Sequence, residues 1–241
     1  MQFFFSRLGF ILAVMLLSAA QPQSLYAQQT DNTLESIKKS GVISIAVPQD
    51  FPPFGSVGAD MQPVGYDIDT ARLIAKSLGV KLKLVPVTST NRIPYLTTGK
   101  VDLVISSLGK NAEREKAIDF SVAYAPFFNG VFGPADLKVA TAEDLTGKTI
   151  AVTRGAVEDM ELTKIAPAST EIRRFEDNSS TIAAYLSGQV QMVATGNVVA
   201  ASINGQNPAK HLEVKFLIKN SPCYIGLNKN EPELQKAVDD I

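Results

Sequence analysis

Apolar positions along the chain fall into two textures, short continuous runs and runs spaced three and four apart. Residues 42–47, 80–87, 101–105, 149–152 and 190–194 read as strands, and the run at 101–105, apolar but for Asp102, has the pattern of a strand buried in a parallel sheet. Residues 67–78 place apolar side chains at 68, 71, 74, 75 and 78 ahead of Gly79, which predicts an amphipathic helix with glycine at C′. Two shorter helices are predicted at 34–39, ended by Gly41, and at 93–98, with Pro94 in the first turn and Gly99 at the end. Between the first strand and the long helix, Asp50-Phe51-Pro52-Pro53-Phe54 predicts a rigid turn. Further on, 127–132 and 224–227 are strand-like, 179–186 is helical, and 232–241 begins another helix.

The pattern repeats once. Residues 95–104 (YLTTGKVDLV) resemble 185–193 (YLSGQVQMV): in both, a helix ends at glycine and feeds a strand that stops at small polar residues. Two α/β lobes of similar build are expected, though helix–glycine–strand joints are common enough to arise independently. In the simplest topology the chain leaves lobe one near 127 and returns near 222. Lobe one is then 28–127 with 222–241, and lobe two is 128–221. Two crossover strands make a hinge, and a ligand sits where strand ends of both lobes meet.

Residues 1–27 stand apart. Arg7, the apolar run 8–20 and Ser24-Leu25-Tyr26-Ala27 have the layout of a secretory signal peptide; a retained anchor is the alternative, but the run is short for a span. No cysteine lies close after that run, so lipid anchoring of the lipobox kind is excluded. Removal takes away Arg7 alone and leaves 22 basic against 24 acidic groups, a net charge of −2. Such a balance gives no footprint for nucleic acid or anionic membrane. With 45% hydrophobic and 20% charged residues the chain can bury its own core. Cys223 is the sole cysteine and reads as a small core residue; His211 is the sole histidine. A transition-metal site or a histidine-based triad has little to build on, and no metal, cofactor or catalytic residue is expected.

The motifs GYDID at 65–69, NRIP at 91–94, Val101-Asp102, Glu113-Arg114 and IDFS at 118–121, followed by LTGK at 145–148 and VTRG at 152–155, occur in this order over essentially the whole mature chain. In these the chain resembles the polar amino-acid-binding family (family 3) of bacterial ABC-importer solute-binding proteins. The run TSTNRIP at 88–94 is most similar to the glutamate/aspartate binders. The resemblance implies a type II periplasmic-binding-protein-like α/β fold, a periplasmic location, a monomer, an amino acid or related carboxylate as ligand, and an ABC permease in the inner membrane as partner.

It also implies a site. Arg114 matches the residue that grips the ligand's α-carboxylate, a task suited to a planar, permanently charged fork; the bland alternative is a solvated Arg114 paired with Glu113 or Asp119. Ser106, Ser107 and Gly109, at the end of strand 101–105, would add hydroxyl and amide donors. Arg92 and Ser89 match positions that hold a side-chain carboxylate, although Arg92 could merely cap its turn. Phe51 matches a stacking aromatic, or packs one lobe on the other. From lobe two, Thr153, Arg154, Gly155 and Ala156 form a strand-to-helix loop with exposed amides. Asp177 and Asn178 sit just before the helix at 179–186, where capping explains at least one of them, and Thr195 and Asn197 flank the end of strand 190–194.

Two positions depart from the family. Gly196 stands where relatives place the aspartate that binds the ligand's α-ammonium, and Pro48 stands where they often place a polar contact. Glu176, Asp177, Glu158 or the Asn197 carbonyl could replace the missing carboxylate; otherwise the ligand is a carboxylic acid without an ammonium. The chain also stops within the helix begun at Pro232 where relatives continue, so the C-terminal part of lobe one is expected to be incomplete. Against the binding-protein reading stand a dehydratase-like enzyme on the same scaffold, with Glu158 or Glu176 as acid, and the sensory module of a receptor, which would need a transmembrane segment or signalling domain after residue 241.

Overall fold

A computed structural model describes residues 33–241; the predicted signal peptide lies outside these. The chain begins with α1 (Thr33–Ser40) and β1 (Val42–Pro48), followed by a small ribbon of β2 (Ser56–Val57) and β3 (Pro63–Val64). Next come α2 (Tyr66–Leu78), β4 (Lys81–Val87), α3 (Arg92–Thr97), β5 (Leu103–Gly109), α4 (Ala112–Ala117) and β6 (Asp119–Ala125). A second group follows: β7 (Phe128–Gly133), β8 (Thr149–Thr153), α5 (Val157–Ile165), β9 (Glu171–Phe175), α6 (Asn178–Leu186), β10 (Met192–Gly196), α7 (Asn197–Gln206) and β11 (Glu213–Asn220). The chain closes with β12 (Cys223–Leu227) and α8 (Pro232–Asp239).

The strands form two five-stranded sheets, ordered β4-β1-β5-β12-β6 and β11-β7-β10-β8-β9. In each, four strands run in one direction and one is antiparallel to them, β12 in the first sheet and β7 in the second. Only Pro126-Phe127 and Ser221-Pro222 separate the sheets along the chain, so two short passages join two lobes. A proline in each passage restrains the backbone where the sheets change over.

The continuous apolar runs follow from burial on both faces. Ile43, Ile45 and Val47 of β1 pack with Ile68, Ala71 and Ile74 of α2, while Ala46 faces Val104, Leu108 and Leu96 on the other side. In the second sheet Ile150 and Val152 pack with Leu145 and Leu162, and Ala151 faces Val193, Ala184 and Tyr185. Gly79 closes α2 at φ 70°, and Val80 N–H reaches Ala75 O.

The third strand differs from expectation. β5 starts at Leu103 and continues through Ser106-Ser107 to Gly109, because β12 pairs with Leu108 and Gly109 and supplies the ladder that small polar residues alone do not suggest. β10 likewise runs from Met192 to Gly196, two residues later than its apolar run, because β7 pairs with it as far as Gly196. Parallel strands β1, β4, β5, β8 and β9 point their C-terminal ends at the space between the lobes, the usual position for a ligand in such sheets.

Candidate functional site

A cavity of about 30 Å³ lies between the lobes, room for roughly two or three water molecules. The first lobe contributes Pro48 and Phe51 after β1, Val87 and Ser89 after β4, Arg92 of α3, and Ser106, Ser107 and Gly109 of β5. The second contributes Asn129 of β7, Ala156, Val157 and Glu158 at the start of α5, and Asn178 at the start of α6. Phe127 and Ser221, one from each passage, line it too.

Arg92 is 5% exposed and donates through Nη1 to the Ser106 carbonyl at 2.7 Å, while its Nε has no partner among the described residues. Burial lowers its pKa; the opposing pull of Glu158 is the largest. Arg114 is also buried and spans the lobes: Nη1 donates to Gly109 O at 2.6 Å and Nη2 to Gly155 O at 3.1 Å. Burial, then the neighbouring Arg92, holds its pKa well below the usual arginine value. The surface alternative does not hold, since Glu113 pairs with Lys116 and Asp119 with Lys229. Arg114 stands directly behind the cavity wall rather than on it.

Behind Ser107 sits a carboxylate that the sequence pattern marks only as the start of a helix. Asp67, fully buried at the head of α2, accepts from the Ser107 amide and the Tyr124 hydroxyl, both at 2.7 Å. These bonds hold Ser107 at φ 40°, in the left-handed region, and turn the end of β5 towards the cavity. Burial pushes Asp67 up to about 7. Gly109 is required for space, because a Cβ there would collide with Ser221 Oγ and Val157.

On the second lobe, Thr153 does not face the cavity but hydrogen-bonds Asn178 Oδ1 and Thr181 Oγ1, each at 2.8 Å. Asn178 lines the cavity, and its amide nitrogens face Asp50 of the first lobe. Asp50 Oδ2 accepts from the Asn178 and Ser179 amides at 2.7 and 3.1 Å, while Asp177 caps Ser180 N–H from within the lobe. The first turn of α6 is thus satisfied partly in trans. Asp50→Ala should weaken solute binding about fivefold, the worth of a helix cap of roughly 1 kcal/mol, and enlarge the radius of gyration of the solute-free protein in X-ray scattering. An unchanged radius would show that the contact does not hold the lobes together.

Three sequence-selected residues lie elsewhere. Arg154 points to solvent, its side chain 48% exposed, and pairs with Glu176 at 2.7 Å. Thr195 is buried inside β10, and Asn197 Oδ1 accepts the Phe128 amide at 3.2 Å. Between them, Gly196 faces the Phe127 ring, which occupies the place a Cβ at 196 would need. That ring also completes an aromatic wall with Phe51, at 6.4 Å between centroids, and Phe54, at 5.5 Å.

Of the acids the sequence offers in place of an aspartate at 196, Glu158 lines the cavity; it is 4% exposed and its Oε2 accepts from Asn129 Nδ2 at 2.8 Å. Burial raises its carboxyl to about 7 against the pull of its own backbone N–H, Arg92 and Arg114. Arg92 Nε, Asn129 Oδ1 and Ser221 Oγ, the buried side-chain polar atoms left without a partner among the described residues, all belong to residues that line this one cavity. An unsatisfied buried polar atom costs about 1–3 kcal/mol, so three on one small surface mark a place shaped for something polar. Asn129 and Ser221 sit beside the interlobe passages, a placement no local sequence pattern encodes. No group of three or more His, Cys, Asp or Glu side chains is placed to hold a metal among the described residues.

The profile of the bacterial extracellular solute-binding proteins, family 3, matches residues 43–241. The glutamine-binding protein of Geobacillus stearothermophilus is 32% identical over 182 residues, covering 73% of this chain and 69% of that protein. The glutamate/aspartate import solute-binding protein of Salmonella typhimurium is 27% identical over 226 residues, 89% of this chain and 75% of the relative. Among solved structures, arginine-bound truncated ArgBP from T. maritima superposes with a TM-score of 0.80 at 30% identity, covering 86% of this chain and 97% of that one. With the profile spanning both sheets and both interlobe passages, the chain belongs to family 3 of the bacterial extracellular solute-binding proteins.

Proposed function

We propose that this protein captures an acidic amino acid between its lobes, in the periplasm, as the monomeric solute-binding component of an ABC importer, and delivers it unchanged to the inner-membrane permease. Membership of a family of amino-acid import receptors supports the transport role. The acidic preference rests on one observation: Arg92 is buried on the cavity wall with Nε unpartnered, and a second guanidinium, Arg114, stands directly behind. Two buried cations facing so little formal negative charge favour a ligand with two carboxylates. Because relatives bear names for glutamine, glutamate/aspartate and arginine binding, the family alone does not select among these.

The blocked position 196 favours a second reading, a carboxylic acid without an ammonium.

A thermal-shift screen of the mature protein against the twenty amino acids and a series of dicarboxylic acids tests both. At about a hundredfold above the dissociation constant a ligand stabilises the fold by about 2.7 kcal/mol, and glutamate or aspartate should give the largest shift. Stabilisation by neutral or basic amino acids alone would refute the acidic preference.

A further inference from the structure

We infer that Glu158, Asn129 and Ser221 form an ammonium-receiving subsite on the cavity, displaced from the end of β10, so that the solute is an amine-bearing carboxylate. This rests on the solute-binding reading above and specifies which end of the solute meets which lobe.

The geometry supplies the complement of an ammonium, which presents three N–H donors and accepts nothing. Asn129 Nδ2 donates to Glu158, which fixes the amide so that Oδ1 is left as an unpartnered acceptor beside the same carboxylate. The reversed amide would set Oδ1 against Glu158 Oε2. Ser221 Oγ is likewise buried and unpartnered. Residues carrying a carboxylate, an amide oxygen and a hydroxyl therefore line one cavity with Arg92, whose Nε is the unpartnered donor. Acceptors come from α5, β7 and the second passage, the donor from α3, so a molecule with a cationic and an anionic end has one way round.

The other acids are engaged elsewhere. Glu176 holds Arg154, Asp177 caps α6, and Asp50 meets the α6 amides. Asp159 takes Gly155 N–H and Arg174, and Asp67 takes Ser107 N–H and Tyr124. Glu158 is the acidic residue lining the cavity. Position 196 cannot serve, since Phe127 fills the space a side chain there would enter.

Charge gives the inference a signature. Arg92, Arg114 and Asp159 are the charged groups that act on Glu158, whose carboxyl is held at about 7. An arriving ammonium favours the carboxylate, so binding releases a proton and affinity rises by up to about tenfold from pH 6 to pH 8. A ligand of the same shape without the amine favours the protonated carboxyl, and its affinity moves the other way.

Calorimetric titration of the unmutated protein and Glu158→Gln with L-glutamate and glutarate, and with L-glutamine and glutaramic acid, at pH 6 and pH 8, tests this. The amine-bearing member of a pair should bind at least tenfold tighter to the unmutated protein, with the rising slope. Both the preference and the slope should vanish in Glu158→Gln, which also removes Asp67 from consideration as their source. Should Glu158→Gln fail to melt cooperatively, the opposite slopes within each pair decide, together with a selective loss of a few fold for the amine member in Ser221→Ala. Amine preference retained in Glu158→Gln overturns the subsite while leaving the transport role intact. Equal or tighter binding of glutarate overturns it in favour of an amine-free solute. Binding of no member of either pair removes the acidic reading as well.

Discussion

Arg92→Ala is expected to weaken binding of the acidic solute by at least about 30-fold. Truncating one partner of a buried, hydrogen-bonded charge pair costs about 2–5 kcal/mol, and each 1.4 kcal/mol is tenfold in affinity. The guanidinium does two things at once: Nη1 holds the buried Ser106 carbonyl and Nε remains for the solute. Alanine leaves that carbonyl unsatisfied, at about 1–3 kcal/mol, so the melting temperature should fall by several degrees in a protein of this size. Arg92→Lys should recover part of the stability but little of the affinity, because an ammonium cannot serve a carbonyl and a carboxylate in two fixed directions. Titration calorimetry and a thermal melt of each variant separate the two effects. Unchanged affinity with lowered stability would make Arg92 a strut for β5, and the acidic preference would fall with it.

Gly196→Asp introduces the residue type that the family resemblance implies at this position, yet it should damage the protein rather than improve it. The new Cβ meets the Phe127 ring, and Phe127 is buried against Phe51 and Phe54. Overpacking of this kind costs about 1–3 kcal/mol, and an unpaired carboxylate in the same place adds to it. Phe127→Ala alone should cost about 3–5 kcal/mol as a cavity. The double variant should be more stable than the sum of the two losses predicts, by about 1 kcal/mol or more, because each change makes room for the other. Urea unfolding of the four proteins measures that coupling; strict additivity would mean that the backbone at 196 relaxes away from the ring.

Much of the architecture was legible because the central strands of both sheets are buried on both faces: a run as short as 42–47, apolar but for Ser44, suits a strand covered on two sides and little else. Strand ends were less legible. Ser106 and Ser107 look like a terminator, and only pairing with β12, more than a hundred residues later, carries β5 through them. In the site, Arg92 could be selected from its neighbours in sequence, since NRIP sets it at the head of a helix. Arg154 could not be judged in that way, because adjacent residues in a loop point to opposite sides and here it is Ala156 that lines the cavity. Asn129, Ser221 and Phe127 could not be found at all from local pattern. Each acquires its role from lying in or beside a passage between sheets, a property of topology rather than of spacing.

The contacts of Asp50 with α6 and of Arg114 with Gly155 join one lobe to the other through protein atoms alone. Every kilocalorie per mole in them multiplies the population of shut receptors about fivefold whether or not cargo is inside, and tightens capture by the same factor until the shut form predominates. Sensitivity to scarce solute and false delivery of empty receptors to a permease are therefore tuned by the same two side chains. A transporter that docks on shape alone would spend a share of its cycles on nothing, in proportion to the strength of that grip.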